Sequence, residues 1–323
     1  MIRHTLAACL LFTSFTGAAS AATLTPADIH NVVANAANLL EKRYVDPDLG
    51  ARLARDIRNQ SAIWEKEQDP EALARKVTDW LRAASGDGHL GLGYSKEALT
   101  DTAAEEDFSA AEMDRWYGPQ INHGIEKIER LEGNVMLIDL RVFPPASMAG
   151  DIFSAAMALV AQGDALIIDL RKNGGGAETV NLVTGYLLDG ARPLSGIYNR
   201  PSDTMQANVS PSWVPGRRFG GTKPLYILTS HRTFSAAEAL AYDLQALGRA
   251  TIVGEVTGGG AHPYEMRRVH DHFTLDLPEG RSVNPITGGN WQGTGVQPDV
   301  RIPADKALET ALRLAHEKLG RAE

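Results

Sequence analysis

The chain has 323 residues, 43% hydrophobic and 22% charged, which is enough to bury a sizeable core in one or two domains. Its formal charge is −8, from 40 acidic and 32 basic residues, so it lacks the basic face that phosphate neutralisation needs and nucleic-acid binding is disfavoured. Cys9 is its one cysteine and lies in a leader-like segment, which excludes disulfides, thiolate catalysis and Cys-based metal binding for the mature chain.

The opening stretch MIRHTLAACLLFTSFTGAASA joins a basic residue, Arg3, to an apolar run from Leu6 to Phe15 and the small residues Ala19, Ser20 and Ala21. This is the pattern of a secretory signal peptide over residues 1–21, cleaved after Ala21. The apolar run is too short to cross roughly 30 Å of hydrocarbon. Leu6-Ala7-Ala8-Cys9 is similar to a lipobox, but almost no apolar segment precedes it. The expected product is periplasmic or secreted, carries a charge of −9 and has no membrane span.

Residues 22–96 read as a small helical domain, because apolar positions recur at three and four in IHNVVANAANLLEKRYV and EALARKVTDWLRAAS. Thr25-Pro26 is an N-cap and first-position signal. Trp64 and Trp80 are expected in its core. Residues 97–124 are polar and without a clear period, so they read as a linker or flap.

The pattern changes over residues 125–323, where NVMLIDLRVF and DALIIDLR are β-rich runs separated by a helical AGDIFSAAMALVAQG. Strand, helix, strand at this spacing implies a parallel, right-handed crossover. A helix from Glu178 to Leu188, a strand LYILTS, a helix over 235–247 and a strand ATIVGE extend the same sheet. The expected architecture is α/β, with a small N-terminal helical domain before an α/β core and a last helix over Lys306–Leu319.

Three stretches carry possible chemistry. In LIIDLRKNGGG a buried strand runs into Gly174, Gly175 and Gly176, whose backbone N–H groups can approach a developing negative charge closely. The run has neither the Gly-Lys-Ser/Thr of a P-loop nor the spacing of a dinucleotide site. In TSHRTFSAAEAL, Ser235 ends a strand and starts a helix; it reads equally as a nucleophile or as the cap of a Ser-x-x-Glu capping box with Glu238. As a nucleophile it would have the N–H of Ala236 beside the oxyanion. In GDGHLGLGYS, His89 is one of four histidines on candidate loops, with His123, His231 and His262, and spacing does not choose the base among them.

Taken in order, ALIIDLRKNGGG, TFSAAEALAYDLQALGRATIVGEVTGGGAHP and GTGVQPDV resemble the tail-specific, or C-terminal-processing, serine peptidases, in particular the branch related to interphotoreceptor retinoid-binding protein. The resemblance covers nearly the whole mature chain and implies a ClpP/crotonase-like core. It implies Ser235 as nucleophile, with oxyanion donors at Ala236 and at Gly175 or Gly176. Two departures stand out. Gly260 occupies the place of the Lys of a Ser-Lys dyad. By resemblance to the tricorn branch, His89 becomes the general base, but Gly88 stands where that branch has a supporting Ser and Gln292 where it has a Glu. Glu255 and Asp87 are substitutes for the missing acid, and His262 shapes or lines the cleft. Asp169 and Arg171 are expected to fix the glycine loop by an ion pair, and Asn173 to be a turn residue with left-handed backbone.

The expectation is an exported serine peptidase acting on polypeptide through an acyl-enzyme, needing no metal or cofactor. The alternatives are a non-catalytic binding protein for a small apolar ligand and a small-molecule esterase or amidase.

Overall fold

The computed structural model describes residues 23–99 and 110–321. The expected signal peptide and residues 100–109 of the expected flap lie outside the described residues. The chain opens with α1 (Pro26–Arg43), α2 (Pro47–Asn59), α3 (Ser61–Trp64) and α4 (Pro70–Ser85). Thr25, Asp46 and Asp69 cap α1, α2 and α4 by accepting an amide two or three residues on, and each is followed by a proline that fits the first helical position without losing a hydrogen bond. Gly86, at φ 70°, ends α4 and turns the chain into the loop that carries Asp87 and His89.

After β1 (Gly91–Tyr94) come α5 (Ala110–Tyr117), a 3-10 segment at Pro119–Gly124, β2 (Ile125–Leu131), β3 (Val135–Leu140), α6 (Ala146–Val160), β4 (Ala165–Asp169) and α7 (Thr179–Leu187). The second half holds the hairpin β5 (Pro193–Asn199) and β6 (Thr204–Val209), then β7 (Leu225–Thr229), α8 (Ala236–Ala246), β8 (Thr251–Gly254), β9 (Tyr264–His270), β10 (Phe273–Pro278), β11 (Gly280–Val283), β12 (Val300–Arg301) and α9 (Ala307–Lys318). The architecture is α/β, as expected.

A six-stranded sheet in the order β12-β8-β7-β4-β3-β2 forms the core; only its edge strand β2 is antiparallel. Its central strands are buried on both faces, so they read as unbroken apolar runs. In β4, Leu166 and Ile168 face α6, α7 and α8, whereas Ala165 and Ile167 face α9. Ala307, Ala311 and Ala315, four apart, let α9 lie close on that face. The strands β4, β7 and β8 end together at one edge, and the loops that follow them, 170–178, 230–235 and 255–263, leave from it.

The second body differs from the expectation that residues 125–323 form one core. β9 and β10 pair with β1 in a three-stranded sheet, β1-β10-β9. Val269, Phe273, Leu275 and Leu277 join Leu90 and Leu92 in the hydrophobic cluster of α1, α2 and α4. The helices alone have too little apolar partner surface, and the returning hairpin supplies it. Trp64 and Trp80 sit in this cluster edge to face, 6.1 Å between ring centres. The stretch expected to be a linker or flap contains α5, which buries none of its residues.

Glu279, which is 1% exposed, ties the end of α1 to the returning β9–β10 hairpin within this second body. Its carboxylate accepts from Arg43 Nε and Nη2 at 2.5 and 2.9 Å and from Arg267 Nε and Nη2 at 2.9 Å each. Truncating it leaves two guanidinium groups facing each other without their shared anion. Glu279→Ala is expected to destabilise the fold by roughly 3 kcal/mol, read as a lower urea midpoint; a midpoint within error of the wild type contradicts this role.

Candidate active site

β7 carries the chain to the sheet edge, and the turn beyond it is stitched to the loop after β4. Thr233 Oγ1 donates to the Leu170 carbonyl at 2.8 Å, Ser230 Oγ to the Arg171 carbonyl at 2.6 Å and Phe234 N–H to the Asn173 carbonyl at 3.0 Å. Ser235 follows at φ 52°, ψ −122°, a sparsely populated conformation for a residue with a side chain. A helix cap usually takes extended backbone, so this geometry is that of a strained strand-to-helix elbow, although Ser235 and Glu238 also stand in the reciprocal arrangement of a capping box. Gly175 lies directly against it: a Cβ there would be 2.7 Å from Ser235 Cβ.

Glu238 restrains the elbow from below. It is fully buried, and its carboxylate accepts from Ser235 N–H at 2.9 Å, Thr257 Oγ1 at 2.5 Å, Gly259 N–H at 2.7 Å and Gly260 N–H at 2.8 Å. Burial pushes its pKa up, and these donors oppose the shift. The Ser-x-x-Glu spacing therefore serves the elbow and also clamps the 257–260 loop, a second function that a capping signature does not reveal.

The loop of three glycines is held by Asn173, which is buried but is absent from the residues with positive φ, contrary to the left-handed turn expected of it. Its side chain does the work instead: Nδ2 donates to the Leu140 carbonyl at 3.1 Å and Oδ1 accepts the Gly175 N–H at 2.8 Å. The Gly175 N–H, expected as an oxyanion donor, is thus committed to Asn173. Gly176 differs. The Gly175 carbonyl accepts the Phe143 N–H at 2.8 Å, so in the trans peptide that follows it the Gly176 N–H points the opposite way. The Ala236 N–H stands at the first turn of α8, where no intrahelical acceptor exists. Arg171 pairs with Asp169 at 2.9 and 2.5 Å and donates to the Ala304 carbonyl at 2.6 Å, fixing the base of the loop.

The Phe234 ring joins this elbow to the histidine loop. His89 lies over it, 4.7 Å between ring centres, and Tyr264 lies 5.6 Å from His89. A Cβ on Gly88 would be 2.8 Å from the tip of the Phe234 ring, and one on Gly260 only 2.2 Å from it. The room a lysine stem would need at position 260 is filled by this ring. Among the described residues no hydrogen bond joins Ser235 Oγ to His89 or to His262.

His89 Nδ1 is buried without a partner, 4.0 Å from Asp87 Oδ1. Burial pushes its pKa down to about 4 against the pull of Asp87, and His262 and Arg82 lower it further. Asp87, 1% exposed, accepts His262 Nδ1 at 2.8 Å and the Tyr44 hydroxyl at 3.0 Å on Oδ2, and the His89 backbone N–H at 3.0 Å on Oδ1. Burial would raise its pKa, but His262 and the His89 backbone and ring hold it below the usual carboxylate value. His262, expected to shape or line the cleft or to support the site, is bonded to a buried acid.

The other expected residues lie elsewhere. Glu255 is turned to His231, at 3.4 Å, and to the Ala304 N–H, at 3.2 Å; it lines a cavity of about 420 Å³ with Asp139, Asp169 and Arg171 and is no partner of His89. Gln292 Oε1 accepts the Ala261 N–H at 2.7 Å and so steadies the loop beside His262. His231 is exposed, and His123 sits in the 3-10 segment at φ 52°.

The model of peptidase family S41 matches residues 134–302. The chain is 28% identical over 191 residues to the chloroplastic carboxyl-terminal-processing peptidase 1 of Arabidopsis thaliana, covering 57% of this chain and 37% of that protein, so it spans little more than a third of the length of that relative. In fold it is similar to the crystal structure of a Parabacteroides merdae protein, with a TM-score of 0.63, 17% identity and coverage of 90% of this chain and 97% of that one. It is also similar to the photosystem II D1 C-terminal processing protease, with a TM-score of 0.51, 16% identity and coverage of 89% and 97%. The family match takes in just over half of the chain, from β3 to β12, including the glycine loop and the Ser235 elbow, and the chain belongs to peptidase family S41.

Proposed function

We propose that this chain is an exported serine peptidase that cleaves polypeptide through an acyl-enzyme, with Ser235 as nucleophile and His89 as general base. The observation that carries this reading is the strained backbone of Ser235, at φ 52° between a strand and a helix, with Gly175 pressed against it and the Ala236 N–H in the first turn of α8 beside it. Ser235 Oγ attacks the scissile carbonyl as His89 takes its proton, and His89 returns the proton to the leaving amine. Water then repeats the sequence on the acyl group. The oxyanion is received by the N–H groups of Ala236 and Gly176, since that of Gly175 is already bonded to Asn173. At rest the imidazole lies on the Phe234 ring. Proton transfer requires it to close on Ser235 to about 3 Å, a tightening that substrate binding supplies.

Export is supported by Arg3, the apolar run and the Ala19-Ser20-Ala21 site. No helix of the described residues is long and apolar enough to cross a membrane. A second reading, a binding protein for a small apolar ligand, is favoured by the rest position of His89 on Phe234 and by Gly260 in place of a lysine.

A fluorophosphonate probe distinguishes the two. The wild type should be labelled and should degrade unfolded casein, Ser235→Ala should do neither, and His89→Ala should label about a hundredfold more slowly. Equal labelling of all three excludes Ser235 as nucleophile and leaves the binding protein as the better reading.

The labelling rate should also report the buried imidazole. Half-maximal rate is expected near pH 4, with a plateau through neutrality, because His89 titrates at about 4; a midpoint near 6.5 identifies a different base.

Stability follows from the same shift. The folded pKa lies below the unfolded one, so between these values the unfolded chain binds the extra proton and stability is lost as pH falls. Folding should be unaffected by His89 above about pH 6.5 and weaken by roughly 3 kcal/mol on approach to pH 4. His89→Gln should flatten that part of the stability profile; an unchanged slope refutes the assignment.

A further inference from the structure

A histidine that becomes imidazolium needs an acid to orient it and to stabilise its charge. The position where one was expected holds Gln292, whose oxygen is bonded to Ala261, and Glu255 faces the cavity around His231. We propose that Asp87 is the carboxylate that orients and charge-stabilises His89, and that His262 and Tyr44 hold Asp87 in place for it, so that Asp87, His262 and Tyr44 are positioning residues of the hydrolytic site. This rests on the peptidase reading above.

The geometry divides the labour between the two oxygens of one buried carboxylate. Oδ2 is occupied by the Tyr44 hydroxyl at 3.0 Å and His262 Nδ1 at 2.8 Å. Among the described residues Oδ1 is bonded only to the backbone N–H of His89, at 3.0 Å, and so keeps capacity for one more donor. The atom that needs an acceptor is adjacent: His89 Nδ1 is buried, unpartnered and 4.0 Å away, about 1 Å beyond hydrogen-bond range. A rotation of the imidazole that shortened this separation by about 1 Å would form the bond and fix the tautomer with Nδ1–H, leaving Nε2 free to accept a proton.

The clamp draws on parts of the chain far apart in sequence. Tyr44 follows α1, Asp87 and His89 follow α4, and His262 lies on the loop after β8. An ionised carboxylate only accepts hydrogen bonds, so His262 carries a proton on Nδ1. The groups facing the pair are Arg82 from α4, which acts on His89, Tyr264 from β9, and the two imidazoles themselves. In the reaction the Ser235 O–H bond breaks as Oγ bonds the carbonyl carbon. The proton goes to His89 Nε2, Asp87 stays ionised beside Nδ1–H, and the proton leaves on the amine as the C–N bond breaks.

The test is the pH profile of fluorophosphonate labelling in the full chain, with circular dichroism and thermal melting to confirm folding. Asp87→Asn is expected to label about a hundredfold more slowly at neutral pH. His262→Leu leaves the buried carboxylate one donor short, so Asp87 protonates sooner and the acid limb moves to higher pH. His262→Gln keeps an N–H donor and should restore part of the wild-type profile.

A folded Asp87→Asn that labels at the wild-type rate overturns the proposal, as does a His262→Leu whose melting temperature drops while its pH profile stays unchanged. No labelling of the wild type instead overturns the peptidase reading, and the proposal falls with it. Where a variant does not fold, the imidazole nitrogen-15 shifts of the wild type decide: Nδ1–H on His262 at neutral pH is expected, and the Nε2–H form alone overturns the clamp.

Discussion

A single buried carboxylate organises the working edge of this molecule. Glu238 sits beneath the Ser235 elbow and draws four donors onto itself, from the elbow, from Thr257 and from two consecutive glycine amides. A charge without water is tolerated only while such donors surround it, so neither loop can leave without exposing the cost. That obligation lets a stretch of three glycines, Gly258 to Gly260, hold one shape, and it keeps Ser235 in a backbone conformation it would abandon if free.

The same edge shows how one replacement is absorbed by its neighbours. With glycine at position 260, the space above the loop is open, and the Phe234 ring enters it and makes a platform for His89. An imidazole on an aromatic face and away from water is held neutral at ordinary pH. Glycine at 260 and the seat of His89 on Phe234 are thus two sides of one packing arrangement, in which a Cβ at either Gly88 or Gly260 would collide with the ring.

The sequence was readable where local pattern and tertiary burial agree. LIIDL and LYILT are β-rich and apolar on both faces because helices cover both sides of the central sheet. The prolines after Thr25, Asp46 and Asp69 mark real helix starts. What could not be read depends on distance or on missing signal. YEMRRVH carries no strong apolar alternation, and its strand joins β1 only through β10, some 180 residues beyond β1 in the chain. Helix α5 buries nothing, so it offers no apolar period to detect. The sequence offers Asp87 and Glu255 equally as acids, and only the approach of Tyr44 and His262 from distant parts of the chain makes Asp87 a buried, three-donor acceptor.

The return of β9 and β10 to the N-terminal helices bears on the order in which the molecule can be made. A nascent chain that has passed residue 250 already contains the elbow and the glycine loop, yet β1 has no neighbour, and Leu90 and Leu92 await Phe273, Leu275 and Leu277. Pairings of such separation form late, after their loop-closure entropy can be met. The loop that carries Asp87 and His89 therefore gains its full scaffold only after the last quarter of the chain has emerged, so the Ser235 elbow and the His89 loop are completed at different stages of folding.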